Sequence, residues 1–105
     1  MSSEFITIRL AGHLGIERYP ELLEAFRSPR EPEPVLVDLR EGTGADSLFL
    51  SELLLFKRRH AATIAVVIPS EGNLARIFAL AGMGTKMDVY TELDQAWQAL
   101  GAQRR

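Results

Sequence analysis

The residues of this chain equipped for chemistry are few: the carboxylates Asp38 and Asp46, the hydroxyl of Ser47, and the imidazoles of His13 and His60. Asp38 closes the apolar run Val35-Leu36-Val37, and the C-terminal ends of strands are where α/β sheets open ligand crevices. A lone carboxylate there has no histidine, cysteine or spaced acid beside it to share acid–base work. The two histidines stand apart, without the spaced carboxylates a metal site needs. Gly42-Thr43-Gly44 lacks the lysine of a phosphate-binding loop, and Gly82-Met83-Gly84 reads as a helix stop. Neither an enzyme, a metal site nor a cofactor is expected.

Asp46-Ser47 is more informative, because it opens an apolar stretch of helical period. An oxygen there caps the helix by accepting one of its free N–H groups, worth about 1 kcal/mol. Ser47 is the expected cap, with Asp46 competing for the same task. A phosphate on Ser47 would gain from the helix dipole but add up to about two negative charges beside Asp46, with Asp38 expected nearby. The cap alone is therefore favoured over a phosphosite at Ser47.

Phe5 to Leu10 alternates and reads as a strand. Gly12-His13-Leu14-Gly15 is a turn into a short extended piece, a hairpin-like unit that would make the sheet mixed. Pro20 suits the first turn of a helix carrying Leu22, Leu23 and Phe26. The prolines of Ser28–Pro34 break it. Val35–Leu39 is apolar on both faces except at Asp38, as an interior strand should be. Glu41–Ala45 reads as a loop whose two glycines permit mobility.

A second helix is expected from about Ser47 to His60. Thr63–Ile68 is the strongest strand, followed by a helix with Leu74, Ile77, Phe78 and Ala81 on one face. Met87–Tyr90 is a last strand. Thr91-Glu92-Leu93-Asp94 resembles a capping box, and the final helix carries Leu93, Ala96, Trp97 and Leu100, with Trp97 expected to pack inward. Strands alternating with helices imply right-handed crossovers and a parallel sheet. The expected fold is therefore α/β: one domain over residues 1–105, a mixed but mostly parallel sheet of 4–5 strands, and about 4 helices.

On a wheel of about 100° per residue, Phe49, Leu53, Phe56 and His60 share one arc of the second helix, widened by Leu50 and Leu54. Leu48 and Leu55 fall on the other side, among Ser51, Glu52, Arg58 and Arg59. Two readings are open: the helix is well buried and both leucines touch neighbouring loops, or, as surplus leucines beside a polar rim, they have the composition of an interface core.

The chain has 105 residues, 47% of them hydrophobic and 25% charged, with a formal charge of -2, ordinary for a globular domain. That acidic balance argues against a nucleic-acid partner. Lys57-Arg58-Arg59-His60 reads as the solvated end of a helix. The absence of cysteine excludes disulfides, Met1–Glu4 has no signal-peptide pattern, and the longest apolar run is too short to span a bilayer. A cytoplasmic protein without membrane insertion is expected.

The order of these motifs resembles the STAS domain, the family of bacterial anti-sigma-factor antagonists and of the cytoplasmic tails of sulfate transporters. Gly12-His13-Leu14 followed by Tyr19-Pro20-Glu21-Leu22 is similar to the family's Gly-x-Leu and Pro-x-Leu opening. Val35–Leu39 resembles its strand ending in Asp-Leu. Asp46-Ser47 and Leu50 match part of its Asp-Ser-Ser-Gly-Leu signature, and Leu80–Met83 with Val89–Ala96 resembles its closing elements. Leu48 and Phe49 stand where the family has its second serine and its glycine. That serine is the phosphoacceptor, so the phosphorylation cycle does not carry over directly.

The resemblance implies a non-enzymatic protein–protein interaction module that regulates transcription through signal transduction, binding an anti-sigma factor or related serine-kinase-like ATPase. The contact surface would comprise Asp46, Ser47, Leu48, Ser51 and Leu55. A STAS-like subunit of a lipid-transport ATPase complex, or a carrier of an apolar ligand, is the alternative. Homodimerisation through the same leucines is a third.

Overall fold

The computed structural model describes residues 5–29 and 32–101. The basic end at Arg104-Arg105, the segment Met1–Glu4, and Arg30 and Glu31 within the proline-rich break lie outside the described residues. The expected α/β class is found. The elements are β1 (Ile6–Arg9), β2 (Gly12–Leu14), α1 (Tyr19–Arg27), β3 (Val35–Asp38), β4 (Gly42–Ala45), α2 (Ser47–Arg59), β5 (Ile64–Val67), α3 (Asn73–Leu80), β6 (Asp88–Tyr90) and α4 (Leu93–Gly101). Among the described residues, no helix is long and apolar enough to cross a membrane.

Four strands form one sheet in the order β1-β3-β5-β6, and every described pairing is parallel. The N-terminal segment therefore does not fold back as a hairpin. Each crossover steps the same way across the sheet, and right-handed crossovers then place their helices on one face. Leu22 and Phe26 of α1, Phe49, Leu53 and Phe56 of α2, and Leu74 and Phe78 of α3 share a core with Val35, Val37, Ile64 and Val66. The rings of Phe26 and Phe56 stack with centroids 5.1 Å apart.

Side chains alternate along a strand, so Leu36, Ala65 and Val67 point to the opposite face. There α4 buries Ala96 and Leu100 against them. Trp97 was expected to pack inward but is 46% exposed. One narrow helix covers that face, and the small Ala96 and Leu100 already fill the contact. Among the described strands the order does not reverse, and a reversal is where doubly wound sheets open their ligand crevice.

The segment expected to be a loop, Glu41–Ala45, holds β4, which pairs in parallel with β2. β2 and β4 prolong the β1–β3 pair beyond the end of the sheet. The hydrogen bonds continue across the join, from Leu10 N–H to Asp38 O and from Gly12 N–H to Glu41 O. The register is Arg9 with Asp38, then Gly12 with Gly42, then His13 with Gly44. Two extra residues thus enter on the β4 side, and such bulges bend a ribbon. Gly12 sits at the bend with φ +78°, a conformation open to glycine at no steric cost.

Gly42 serves close packing instead of mobility. A Cβ on it would lie 2.8 Å from a Leu74 methyl and 3.1 Å from the Leu39 carbonyl oxygen. Gly42→Val is expected to destabilise the domain by about 2 kcal/mol, the ordinary cost of overpacking, as measured by denaturant unfolding. An unchanged midpoint would mean that α3 is not seated so closely on β4.

Candidate docking site

The bent ribbon delivers Asp46 to the start of α2. Its backbone N–H donates to Leu14 O at 3.2 Å, completing the β2–β4 pairing. One carboxylate oxygen accepts from Phe49 N–H at 3.1 Å, and the other accepts from Ile16 N–H at 2.9 Å. Asp46 is therefore the N-cap of α2, in extended backbone conformation. Ser47, the expected cap, is the first helical residue and is exposed. The N–H that needed an oxygen is already served, and the ribbon fixes which residue turns into the helix.

The second bond of Asp46 ties the 3₁₀ turn at Ile16–Arg18 to the first turn of α2. Ile16 is 67% exposed there. Arg18 holds the same turn from below. Its guanidinium donates to the carbonyls of Ala11 and His13 and pairs with Glu21 at 2.8 Å. Tyr19 donates its hydroxyl to Glu52 at 3.1 Å, joining α1 to α2. That bond raises the phenol above its ordinary pKa.

On α2, Phe49, Leu53 and Phe56 are buried, and Leu50 and Leu54 pack partly against the same core. Ser47, Ser51 and Leu55 are exposed. Their four-residue spacing stacks them in one outward stripe about 12 Å long. Leu55 is 42% exposed and Leu48 is half-buried. Short serine side chains leave the N-terminal half of this stripe low, so that another surface can approach the helix closely before meeting Leu55.

Asp38 does not join this group. Alternation with Val37 turns it to the α4 face of the sheet, whereas α2 covers the other face. It is almost fully buried, and Arg40 grips it with two guanidinium bonds of 2.9 Å and a backbone N–H at 3.1 Å. Arg9 adds a longer bond of 3.3 Å. The Arg40 guanidinium, against the opposing pull of burial, holds the carboxyl below its usual range.

A depressed folded-state pKa stabilises above the unfolded-state value, and that stabilisation is withdrawn as pH falls through the folded-state value. Asp38→Asn is therefore expected to lower the unfolding midpoint at neutral pH. Its deficit relative to the parent should shrink as the medium is acidified below about pH 4. A deficit that stayed constant with pH would mean that the ion pair contributes nothing through its charge.

Among the described residues, no group of three or more His, Cys, Asp or Glu side chains gathers as metal ligands do. Compared with protein-family models, curated proteins and solved structures, the chain matches none. Sequence reasoning missed Ile16. Its only signal was an isolated apolar residue between Gly15 and Glu17, outside any periodic run.

Proposed function

We propose that this chain is a non-enzymatic interaction module of the STAS type. It acts in the cytoplasm as an anti-sigma-factor antagonist-like regulator that binds a kinase-like anti-sigma factor or related ATPase. The observation carrying this reading is the outward stripe Ser47–Ser51–Leu55, led by the doubly bonded Asp46 with exposed Ile16 tied beside it. Apolar side chains held by a rigid polar anchor are the composition of an interface core with its rim. Leu48 occupies the position of the family's phosphoacceptor and cannot take a phosphate, and a constitutive contact of that kind suits the lipid-transport alternative. Ser47, relieved of capping and exposed, is the hydroxyl of the signature a kinase would reach.

The immobilised full chain, incubated with lysate of its own source cell in the presence of ADP, tests this reading by mass spectrometry of the retained proteins. A nucleotide-binding protein of the serine-kinase type is expected, and its retention should fail with Leu55→Asp. Recovery of transporter components in its place would favour the lipid-transport alternative. Retention of neither would overturn both readings.

A further inference from the structure

Beside the docking stripe, where α2 runs toward its C-terminus, an open groove of about 530 Å³ is lined by Leu54, Lys57, Arg58 and Lys86. We infer that this groove binds an acidic polypeptide segment of the partner, its carboxylates meeting Lys57, Arg58 and Lys86 and an apolar side chain resting on Leu54. The inference rests on the proposed docking reading, to which it adds the charge of the partner.

Charge placement carries the inference. The chain is acidic overall, at -2, yet three cations meet here. Among the described residues none of the three is in an ion pair, which is equally true of Arg27, Arg59 and Arg76; what sets these three apart is that they line one groove. Cations at the end of α2 by themselves only answer the helix dipole. Lys86 is not part of that helix. It arrives from beyond α3, where its ammonium donates to Ala81 O at 3.1 Å, which fixes it at the groove and leaves its other protons free.

Its one apolar lining residue, Leu54, is half-buried, and the open groove has a volume within the roughly 300–1,000 Å³ of small-molecule sites. A concave site of this kind receives side chains, whereas a flat bilayer surface would touch only its rim. Arg58 lies one turn from both Leu54 and Leu55, so groove and stripe form one continuous surface.

The test is a titration of the isotopically labelled full chain, followed by the shifts of its backbone amides. The probe is a synthetic peptide alternating glutamate with leucine. Saturable shifts at Leu54, Lys57, Arg58 and Lys86 are expected, with affinity falling as salt is raised. The combined variant K57A/R58A/K86A should bind the peptide about tenfold more weakly, while Trp97→Asp, which adds a charge on α4 across the sheet, should retain at least half of the parent affinity. Absence of saturable shifts at these amides would overturn the inference. So would binding to vesicles of phosphatidylcholine and phosphatidylserine without binding to the peptide, which would assign the groove to anionic lipid. Because the peptide probes only the groove, its failure leaves the stripe untouched. Failure of the stripe shows separately, as partner retention that survives Leu55→Asp.

Discussion

Leu55→Asp is expected to weaken partner binding by about 100-fold, the loss typical of an apolar interface anchor made charged, while the domain still unfolds in one cooperative step. The position decides this outcome. Leu55 is 42% exposed and stands on the outer stripe of α2, opposite Phe49, Leu53 and Phe56. The cost to the fold is confined to helix propensity and partial burial, about 1 kcal/mol. Trp97→Asp is the matched control, because Trp97 is 46% exposed on α4, which packs on the opposite face of the sheet. It should bind as the parent does. Thermal scanning separates the cases: a lost or broadened transition in Leu55→Asp would place that side chain in the core.

Asp46→Ala has the second large effect, and it falls on stability and binding together. It removes the cap of α2 and the bond to Ile16 N–H in one change. The expected loss is about 2 kcal/mol, or roughly 10 °C in melting temperature for a domain of this size. Asp46→Asn keeps an oxygen for capping and should recover most of it. Amide hydrogen exchange makes the distinction sharper. In Asp46→Ala, exchange should quicken at Ile16 and in the first turn of α2 but not in β3 or β5. Uniform quickening would mean that Asp46 supports the whole fold and not the local frame of the docking stripe.

Helices and interior strands were legible in the sequence because their apolar periods are strong. Val35–Val37 and Ile64–Val67 are continuous apolar runs, and the Phe49–Leu53–Phe56 arc lies where the wheel puts it. The β2–β4 ribbon was not legible. Gly42-Thr43-Gly44-Ala45 carries no alternation, and its pairing follows from a partner strand about thirty residues away in parallel register. Gly42, which suggests a mobile loop, is instead held against the buried Leu74 and the Leu39 carbonyl.

At the site, the outward placement of Leu55 could be read from the wheel, since helical geometry is local. The choice of Asp46 over Ser47 as cap could not. Both residues cap well, and a tertiary bond from Asp46 N–H to Leu14 O fixes which one precedes the helix. Asp38 lies on the other face of the sheet for a related reason. Being close along the chain to Asp46 says nothing of the sheet face, which depends on the alternation of β3 and on the arginines that gather there. Trp97 shows the limit of helical spacing: it shares an arc with Leu93 and Leu100, yet the face α4 covers is too narrow to bury it.

The most direct measurement places a photo-crosslinking amino acid at Ser51, at the centre of the stripe, and separately at Thr7, exposed on β1 away from α2. Each full-length variant is irradiated in its own cell, and the adducts are identified by mass. Position 51 should capture one protein reproducibly, position 7 should not, and Leu55→Asp should abolish the adduct. Capture from position 7 with none from position 51 would put the contact on another face and contradict the assignment of α2 as the docking surface.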